Sequence, residues 1–224
     1  MNRRTRLATA LVAGGVFAVG AVAVAAPAVA GAGPFGNPSV SASWSGQGSG
    51  AGPGAAGRGA GQAWRDGSCV SPSTTAPSGT LSVQQKATLA SMAQEEKLAG
   101  DLYQQFAARY PAAVFDRIAA AEDQHLAAVR TLLTRYGLSD PTAGKAAGQF
   151  SDATVQATYD RLLATGSASQ SAAFGVGQQV ERTDVADLQR ALNGLSAADV
   201  TQAYQHLLAA SRQHLVAFTT WATR

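Results

Sequence analysis

From Leu81 to Arg224 the apolar residues recur at alternating steps of three and four, and no segment alternates apolar with polar residues as a half-buried strand does. Because this spacing is the period of an α-helix, the sequence predicts an all-α domain over residues 81–224. Four of the segments are long, and the range has the size of a single four-helix bundle.

Turn and capping residues divide this range into helices. A capping box at Ser82–Gln85 starts the first helix, and Pro111 ends it. Glycines such as Gly137 and Gly194 mark later helix ends, and Ser196–Asp199 resembles a second capping box. The predicted helices cover about 82–110, 112–136, 152–164, 169–192 and 196–222, of which 152–164 is a short extra helix in the long connection between helices 2 and 3.

Residues 1–30 have the composition of a secretory signal peptide. Three arginines without an acid precede an apolar stretch from Leu7 to about Ala26, and Ala28-Val29-Ala30 offers the small residues of a cleavage site. We therefore predict a secreted protein with no stable membrane span after cleavage. A retained membrane anchor is the alternative, because the apolar stretch approaches the length that spans a bilayer.

Residues 31–80 are predicted to be a disordered tether. Gly, Ser, Ala and Pro dominate this segment, so it buries too little apolar surface to offset the entropy lost on ordering. Cys69 lies here and is the only cysteine, which excludes an internal disulfide and cysteine-based metal sites. Its thiol is either free or paired with another chain.

The charge balance gives no support to a nucleic-acid partner. The chain has 17 Lys+Arg and 14 Asp+Glu, and three of the arginines belong to the predicted signal peptide. Cleavage would leave equal numbers of basic and acidic residues. The basic stripe that nucleic-acid binding requires is not visible in what remains.

Ionisable residues interrupt the apolar stripes of the long helices. Glu96 lies between Met92 and Ala99 on the first stripe, where an isolated ionised carboxylate would cost several kcal/mol. On the second helix Glu122 and His125 share one face at the i, i+3 spacing, close enough to bind one metal ion.

The third and fourth helices carry similar groups. Glu181 and Asp184 have the same i, i+3 spacing, and His214 lies on the inner stripe of the last helix. Carboxylates mixed with imidazoles suit iron, manganese or zinc, and two divalent ions would balance four buried acids. The predicted metal ligands are Glu96, Glu122, His125, Glu181, Asp184 and His214.

Each of these features also has a simpler interpretation. A single Glu-x-x-His arises often by chance, Glu181 and Asp184 also fit a solvated face, and His214 also fits a hydrogen-bonded core histidine. The inner acids would then be protonated or paired with basic residues. Tyr103 is either core packing or a donor to a carboxylate, and His206 is either partly exposed or a support for a ligand. The candidate basic partners are Lys97, Arg117, Arg182 and Arg212.

The stretches around these residues resemble the ferritin-like di-iron carboxylate proteins, and they are most similar to a bacterial family catalogued as domain of unknown function 2202. The resemblance spans residues 81–224 and implies a ferritin-like four-helix bundle. The stretches that carry it are Glu95–Tyr103, Ala121–Leu126, Gly175–Leu188 and Ser211–Phe218.

The resemblance also implies a ligand set. The wider superfamily has Glu followed by Ala three residues on and Tyr seven residues on, which selects Glu96 over Glu95. Its fourth helix normally repeats Glu-x-x-His, whereas this chain has Ser211 in the place of that glutamate. Rubrerythrin-like sites also use two acids on the third helix, so the resemblance offers Asp184 as a replacement for the missing carboxylate. The alternative is a weak second metal position, or a single bound metal ion.

Three functions follow from this pattern. The first is a redox protein that holds two iron ions per chain, or manganese or zinc, and acts on oxygen, peroxide or ferrous iron as an oxidase or ferroxidase would. The second is an extracytoplasmic module that binds metal without turnover. The third is a metal-free structural or interaction bundle on a flexible stalk. Residue spacing alone leaves enzymatic activity open.

Overall fold

The computed structural model describes residues 75–224, and this part of the chain is an all-α helical bundle, as predicted. The predicted signal peptide and all of the predicted tether before residue 75 lie outside the described residues. Within 75–224, no helix combines the length and the apolar character needed to cross a membrane. The helices are α1 (Val83–Arg109), α2 (Ala113–Arg135), α3 (Ala153–Gly166), α4 (Gln170–Leu192) and α5 (Ala198–Trp221).

The helix ends follow mostly from local capping chemistry. Ser82 and Gln85 form the predicted capping box at the start of α1, each side chain bonding the other's backbone N–H. The Asp152 carboxylate accepts from two backbone N–H groups at the start of α3. Gly137 and Gly194 have φ of +62° and +68° directly after α2 and just beyond α4, where a residue with a Cβ would be strained.

The start of α5 differs from the prediction. Its N-cap is Ala197, and no side chain caps it. The Asp199 carboxylate instead accepts from Tyr136 Oη at 2.6 Å and from Arg135 Nη1 at 3.1 Å, both at the end of α2. The acid that the pattern assigned to a local cap therefore joins two helices.

The four long helices form a ring of contacts in which α1 packs on α2, α2 on α5, α5 on α4 and α4 on α1. Gln85 at the start of α1 donates to the Gly194 carbonyl beyond the end of α4, so these two helices run antiparallel. Since α2 also runs opposite to α1, α2 and α4 are parallel. The chain needs a long crossover between them, and this crossover contains α3, which packs on α4 and α1.

Two apolar groups fill the interior on either side of its middle. An aliphatic group containing Leu89, Val129 and Leu188 occupies one end of the bundle. Stacked and edge-to-face rings occupy the other end, with Phe115 in contact with Phe174 and Phe218. On each long helix the predicted ligands lie between these two groups, in the middle of the bundle.

A buried ion pair fixes the crossover to α1. Lys97 Nζ contacts Asp101 Oδ2 and donates to the Ala146 carbonyl at 2.9 Å. The Gly148 N–H donates to the same Asp101 oxygen at 2.8 Å. Both charged side chains are therefore neutralised, and the crossover is held against the first helix.

Candidate metal centre

The middle of the bundle brings together five of the six predicted ligands. Their side chains enter from four different helices and are almost fully buried, with no more than 3% of each residue exposed. Only Glu122 and His125 share a helix face, so local helical geometry accounts for that pair alone. The other three side chains come from separate helices. The five residues are Glu96 on α1, Glu122 and His125 on α2, Glu181 on α4 and His214 on α5.

Glu122 lies between the two histidines. Its Oε2 is 2.7 Å from His125 Nδ1, and its Oε1 is 2.8 Å from His214 Nδ1. The two imidazole rings stack with centroids 5.6 Å apart. One carboxylate therefore contacts a different imidazole with each of its oxygens.

The remaining two acids complete a group around each histidine. Glu96 Oε2 is 3.4 Å from His125 Nδ1, and Glu181 Oε2 is 3.6 Å from His214 Nδ1. Within each group the three candidate ligand atoms lie within 4.8 Å of one another. The described residues thus contain two three-ligand groups, one with Glu96, Glu122 and His125 and one with Glu122, Glu181 and His214, which share Glu122.

Asp184 lies beside these groups without belonging to either. Its Oδ2 contacts the hydroxyl of Ser211, the residue that stands where the resemblance expects a glutamate. Its Oδ1 is buried and has no hydrogen-bond partner within residues 75–224. Burial raises its pKa well above the ordinary value, and the charges of Glu96 and Glu181 raise it further. The role of Asp184 as a ligand stays a prediction.

Burial and mutual charge dominate the electrostatics of the centre. Burial raises the pKa of Glu96 to about 8, and the hydrogen bond from His125 only partly offsets this. For Glu122 burial acts in the same direction, but the charges of His214 and His125 outweigh it and lower its pKa. Burial lowers the pKa of His125, yet Glu122 and Glu96 raise it to about 10. Without a metal ion, the centre is held by proton-dependent ion pairs.

Tyr103 supports one of these acids. Its buried hydroxyl donates to Glu181 Oε1 at 2.7 Å, and its ring packs on Phe218 with centroids 5.0 Å apart. Both interpretations offered by the sequence, core packing and donation to a carboxylate, therefore hold. With Oε1 engaged by Tyr103, Glu181 presents Oε2 to His214.

The basic residues proposed as partners of the inner acids have other contacts or lie at the surface. Lys97 pairs with Asp101, and the exposed Arg182 donates to Gln178. Arg117 and Arg212 are exposed, as is His206. The inner acids instead contact His125, His214 and Tyr103.

Over residues 85–222 the chain matches the family described as an uncharacterised protein domain, DUF2202. The chain belongs to this family. The uncharacterised protein MJ0754 of Methanocaldococcus jannaschii is 34% identical to this DUF2202 chain over 142 residues, which make up 63% of this chain and 77% of that protein.

A solved structure shares the fold. The crystal structure of hypothetical protein MJ0754 from Methanococcus jannaschii matches the DUF2202 chain with a TM-score of 0.65 and 32% sequence identity, over 66% of this chain and 85% of that chain. Neither name states an activity. The chemistry of this DUF2202 chain must therefore be inferred from its own side chains.

The donor set fits a metal pair. Glu96 Oε1 is buried without a hydrogen-bond partner within the described residues, so one inner carboxylate keeps an unused acceptor. Carboxylate oxygens and imidazole nitrogens together suit iron, manganese and zinc. Two ions would neutralise acids whose burial otherwise opposes ionisation.

Sequence reasoning missed the burial of two acids. Three of the four glutamates of the chain lie in the centre, and the fourth, Glu95, also has a buried oxygen. Its position three residues after Met92 was a usable signal, since Glu95 and Glu96 flank the same inner stripe. For Asp199 the capping pattern was misleading, and no local signal distinguished a cap from an interhelical bond.

Proposed function

We propose that this DUF2202 chain is a ferritin-like metalloprotein that binds two metal ions in the middle of its bundle. Four long helices with a single long crossover are the topology of ferritin-like folds. Carboxylates and a Glu-x-x-His pair that project inward from facing helices are the ligand pattern of the di-metal proteins with that fold. Glu96, Glu122 and His125 would hold one ion, and Glu122, Glu181 and His214 would hold the other.

The shared position of Glu122 is the observation that carries this proposal. Each of its oxygens points to a different histidine, with distances of 2.7 and 2.8 Å. Glu122 would therefore take part in holding both ions. As part of the proposal, Asp184 would supply the carboxylate that Ser211 cannot, from its place against that hydroxyl.

The proposed activity is redox chemistry with oxygen, peroxide or ferrous iron. Two iron or manganese ions would supply the electrons and the Lewis acidity for it. The chain's own residues bind the ions, exclude water through their burial, and hold Glu181 in place through Tyr103. These are the contributions that a protein makes to a metal centre of this kind.

Metal binding without turnover is the second candidate function. The ligands are almost fully buried, and one expected carboxylate is replaced by Ser211. The burial of the ligands favours slow exchange over repeated access by a substrate. To separate the two functions, the protein is first loaded with ferrous iron under anaerobic conditions, and its oxygen uptake is measured after oxygen is added. Consumption of oxygen is expected only of the redox protein.

Elemental analysis of the purified protein tests metal binding. We expect about two metal ions per chain, and we expect Glu122→Ala to lose both because the two groups share this residue. Asp123→Asn is the matched control, since Asp123 is the next residue on α2 and is exposed. A wild-type protein without stoichiometric metal, whose melting temperature a chelator leaves unchanged, would contradict the proposal.

We also propose that the protein is exported after its signal peptide is cleaved. It depends on residues 1–30, which lie outside the described residues. Amino-terminal sequencing of the mature protein is expected to begin at about Gly31, and a mature chain that retains the three amino-terminal arginines would contradict cleavage.

A further inference from the structure

Before α1 begins, residues 76–81 run across the aliphatic end of the bundle without forming a helix or a strand. Leu81 is buried in the aliphatic group. At the other end of the segment, the Ala76 N–H donates to Gln202 Oε1 at 3.2 Å, and Gln202 lies in the second turn of α5. We call residues 76–81 the strap, because they contact helices far from them in the sequence.

The strap bonds to the end of α2 as well as to α5. The Gly79 N–H donates to Tyr136 Oη at 2.9 Å, and Tyr136 is the C-cap of α2. Arg135, the last residue of α2, donates from Nη1 to the Ala76 carbonyl at 3.3 Å. A segment that only led into α1 would need neither bond. The backbone of one short segment therefore connects the end of α2 with the start of α5.

A glycine lets the strap lie directly on the start of α5. A Cβ at Gly79 would be 2.6 Å from Ala197 Cα and 2.9 Å from Ala197 Cβ, closer than carbon atoms pack without a shift. Ala197 is the N-cap residue of α5 and is fully buried. The strap backbone is therefore packed against the point at which α5 begins, and a side chain at position 79 would push it away.

The start of α5 depends on this contact more than other helix starts would. Side chains cap the starts of α1, α3 and α4, whereas no side chain caps α5 at Ala197. A helix end without a cap frays more readily, because its first N–H groups lack a local acceptor. Pro77 favours docking of the strap, since its ring fixes φ and leaves the released segment fewer conformations to lose.

We propose that the strap closes the end of the bundle formed by α2 and α5, and that it is released as a unit. Release would open the first turns of α5 and the last turn of α2, while Phe115 and its aromatic neighbours keep the other end packed. Cleavage or tension at the strap would therefore act on the two helices that carry His125 and His214. This inference holds whether or not the centre binds metal.

Amide hydrogen exchange in the full-length chain, followed by NMR, tests the strap. We expect Gly79→Ala to accelerate exchange about tenfold at residues 201–204 of α5 and 133–136 at the end of α2, because the new Cβ displaces the strap. Exchange at residues 122–126, in the middle of α2, should keep the wild-type rate. Thr80→Ala is the matched control, since Thr80 is the next residue of the strap and is exposed.

Three results would overturn the inference. Equal exchange rates in Gly79→Ala and Thr80→Ala at the two helix ends would show that the strap does not hold them. Acceleration of the same size at residues 122–126 would show a general loss of stability in place of a local opening. In the wild type, Ala76 and Gly79 amides that exchange as fast as those of an unfolded chain would show that the strap is not docked.

A second variant tests release as a unit and does not depend on the folding of Gly79→Ala. Gln202→Ala removes the acceptor of the Ala76 N–H and leaves the glycine contact intact. It should nevertheless accelerate exchange of the Gly79 N–H and of residues 133–136, whereas Gln205→Ala, at an exposed position of α5, should not. A Gly79 N–H that exchanges at the wild-type rate in Gln202→Ala would overturn the inference.

Discussion

At the candidate centre the Tyr103 hydroxyl donates to Glu181 Oε1, with 2.7 Å between the two oxygens. Both residues are almost fully buried, so no water competes for the bond. Burial raises the pKa of Tyr103 well above its ordinary value, and the Glu181 charge adds to this. The phenol therefore stays protonated and can act as a permanent donor to Glu181 Oε1.

Tyr103→Phe is expected to weaken one metal position selectively. Glu181 would keep its burial but lose its donor, and loss of such a supporting bond typically lowers metal affinity about 10–100-fold. The position with Glu122, Glu181 and His214 should weaken, whereas the position with Glu96 should not. Titration with Co²⁺, followed by absorbance, measures both affinities.

Tyr110→Phe is the control for this prediction. It also removes one tyrosine hydroxyl, at the C-cap of α1, but that hydroxyl donates to the Gly166 carbonyl at 2.9 Å, away from the centre. Its metal affinities should equal those of the wild type. Two positions weakened alike in Tyr103→Phe would contradict the selective role of the Tyr103 hydroxyl.

At the scale of helices, a glycine allows α4 and α5 to approach beside the centre. A Cβ at Gly177 would lie 2.8 Å from Phe218 Cδ2, closer than side chains tolerate. Phe218 packs in turn on Tyr103 and Phe115. The missing side chain therefore makes room for the ring that covers one side of the centre.

Two glycine-to-alanine substitutions on α4 should change stability in opposite directions. Gly177→Ala forces Phe218 to move and is expected to cost about 1–3 kcal/mol. At Gly175 a Cβ would meet nothing within 4 Å, so Gly175→Ala should stabilise by about 0.5–1 kcal/mol through helix propensity. Urea denaturation of the two variants measures the free energies of unfolding. A Gly177→Ala variant as stable as the wild type would contradict the close approach at Gly177, and a loss of stability in Gly175→Ala would contradict the open space there.

At the scale of the whole molecule, Asp199 ties one end of the bundle together. Its buried carboxylate accepts from Tyr136 and Arg135 on the α2 side, and it joins α5 to them. The same two residues reach the segment before α1, where Arg135 donates to the Ala76 carbonyl and Tyr136 Oη accepts from the Gly79 N–H. These bonds place residues 76–79, the described end of the predicted tether, against the bundle.

The stability that Asp199 contributes should depend on pH. Burial raises its pKa, but the hydrogen bonds from Tyr136 and Arg135 outweigh this and hold its pKa below the ordinary value of an aspartate in the folded chain. A group with a lowered folded pKa stabilises above its unfolded pKa, and the stabilisation is lost as pH falls through the folded value. The contribution is therefore complete near neutral pH and disappears in acid.

Asp199→Asn is expected to cost about 1–3 kcal/mol near neutral pH, because two donors lose a charged acceptor. The difference from wild type should shrink as the pH falls below about 4. Urea denaturation across this range checks the prediction, with the exposed Asp116→Asn on α2 as control. A difference that stays constant into acid would show that the charge of Asp199 does not matter.

Local pattern was enough to predict the helices and part of the centre. Helix boundaries depend on capping residues such as Ser82 and Gly137. Glu122 and His125 share one face of their helix because of helical spacing alone. The burial of Glu96, Glu181 and His214 also followed from their places on apolar stripes. These relations lie within single helices, and the backbone period determines them before any packing occurs.

Only the tertiary structure decided which side chains meet across helices. The place of Glu122 between two histidines, the contact of Asp184 with Ser211 and the use of Asp199 as an interhelical acceptor each depend on the rotation and register of packed helices. The periodicity of one helix carries no information on the register of another, because that register depends on how the apolar side chains of both interlock.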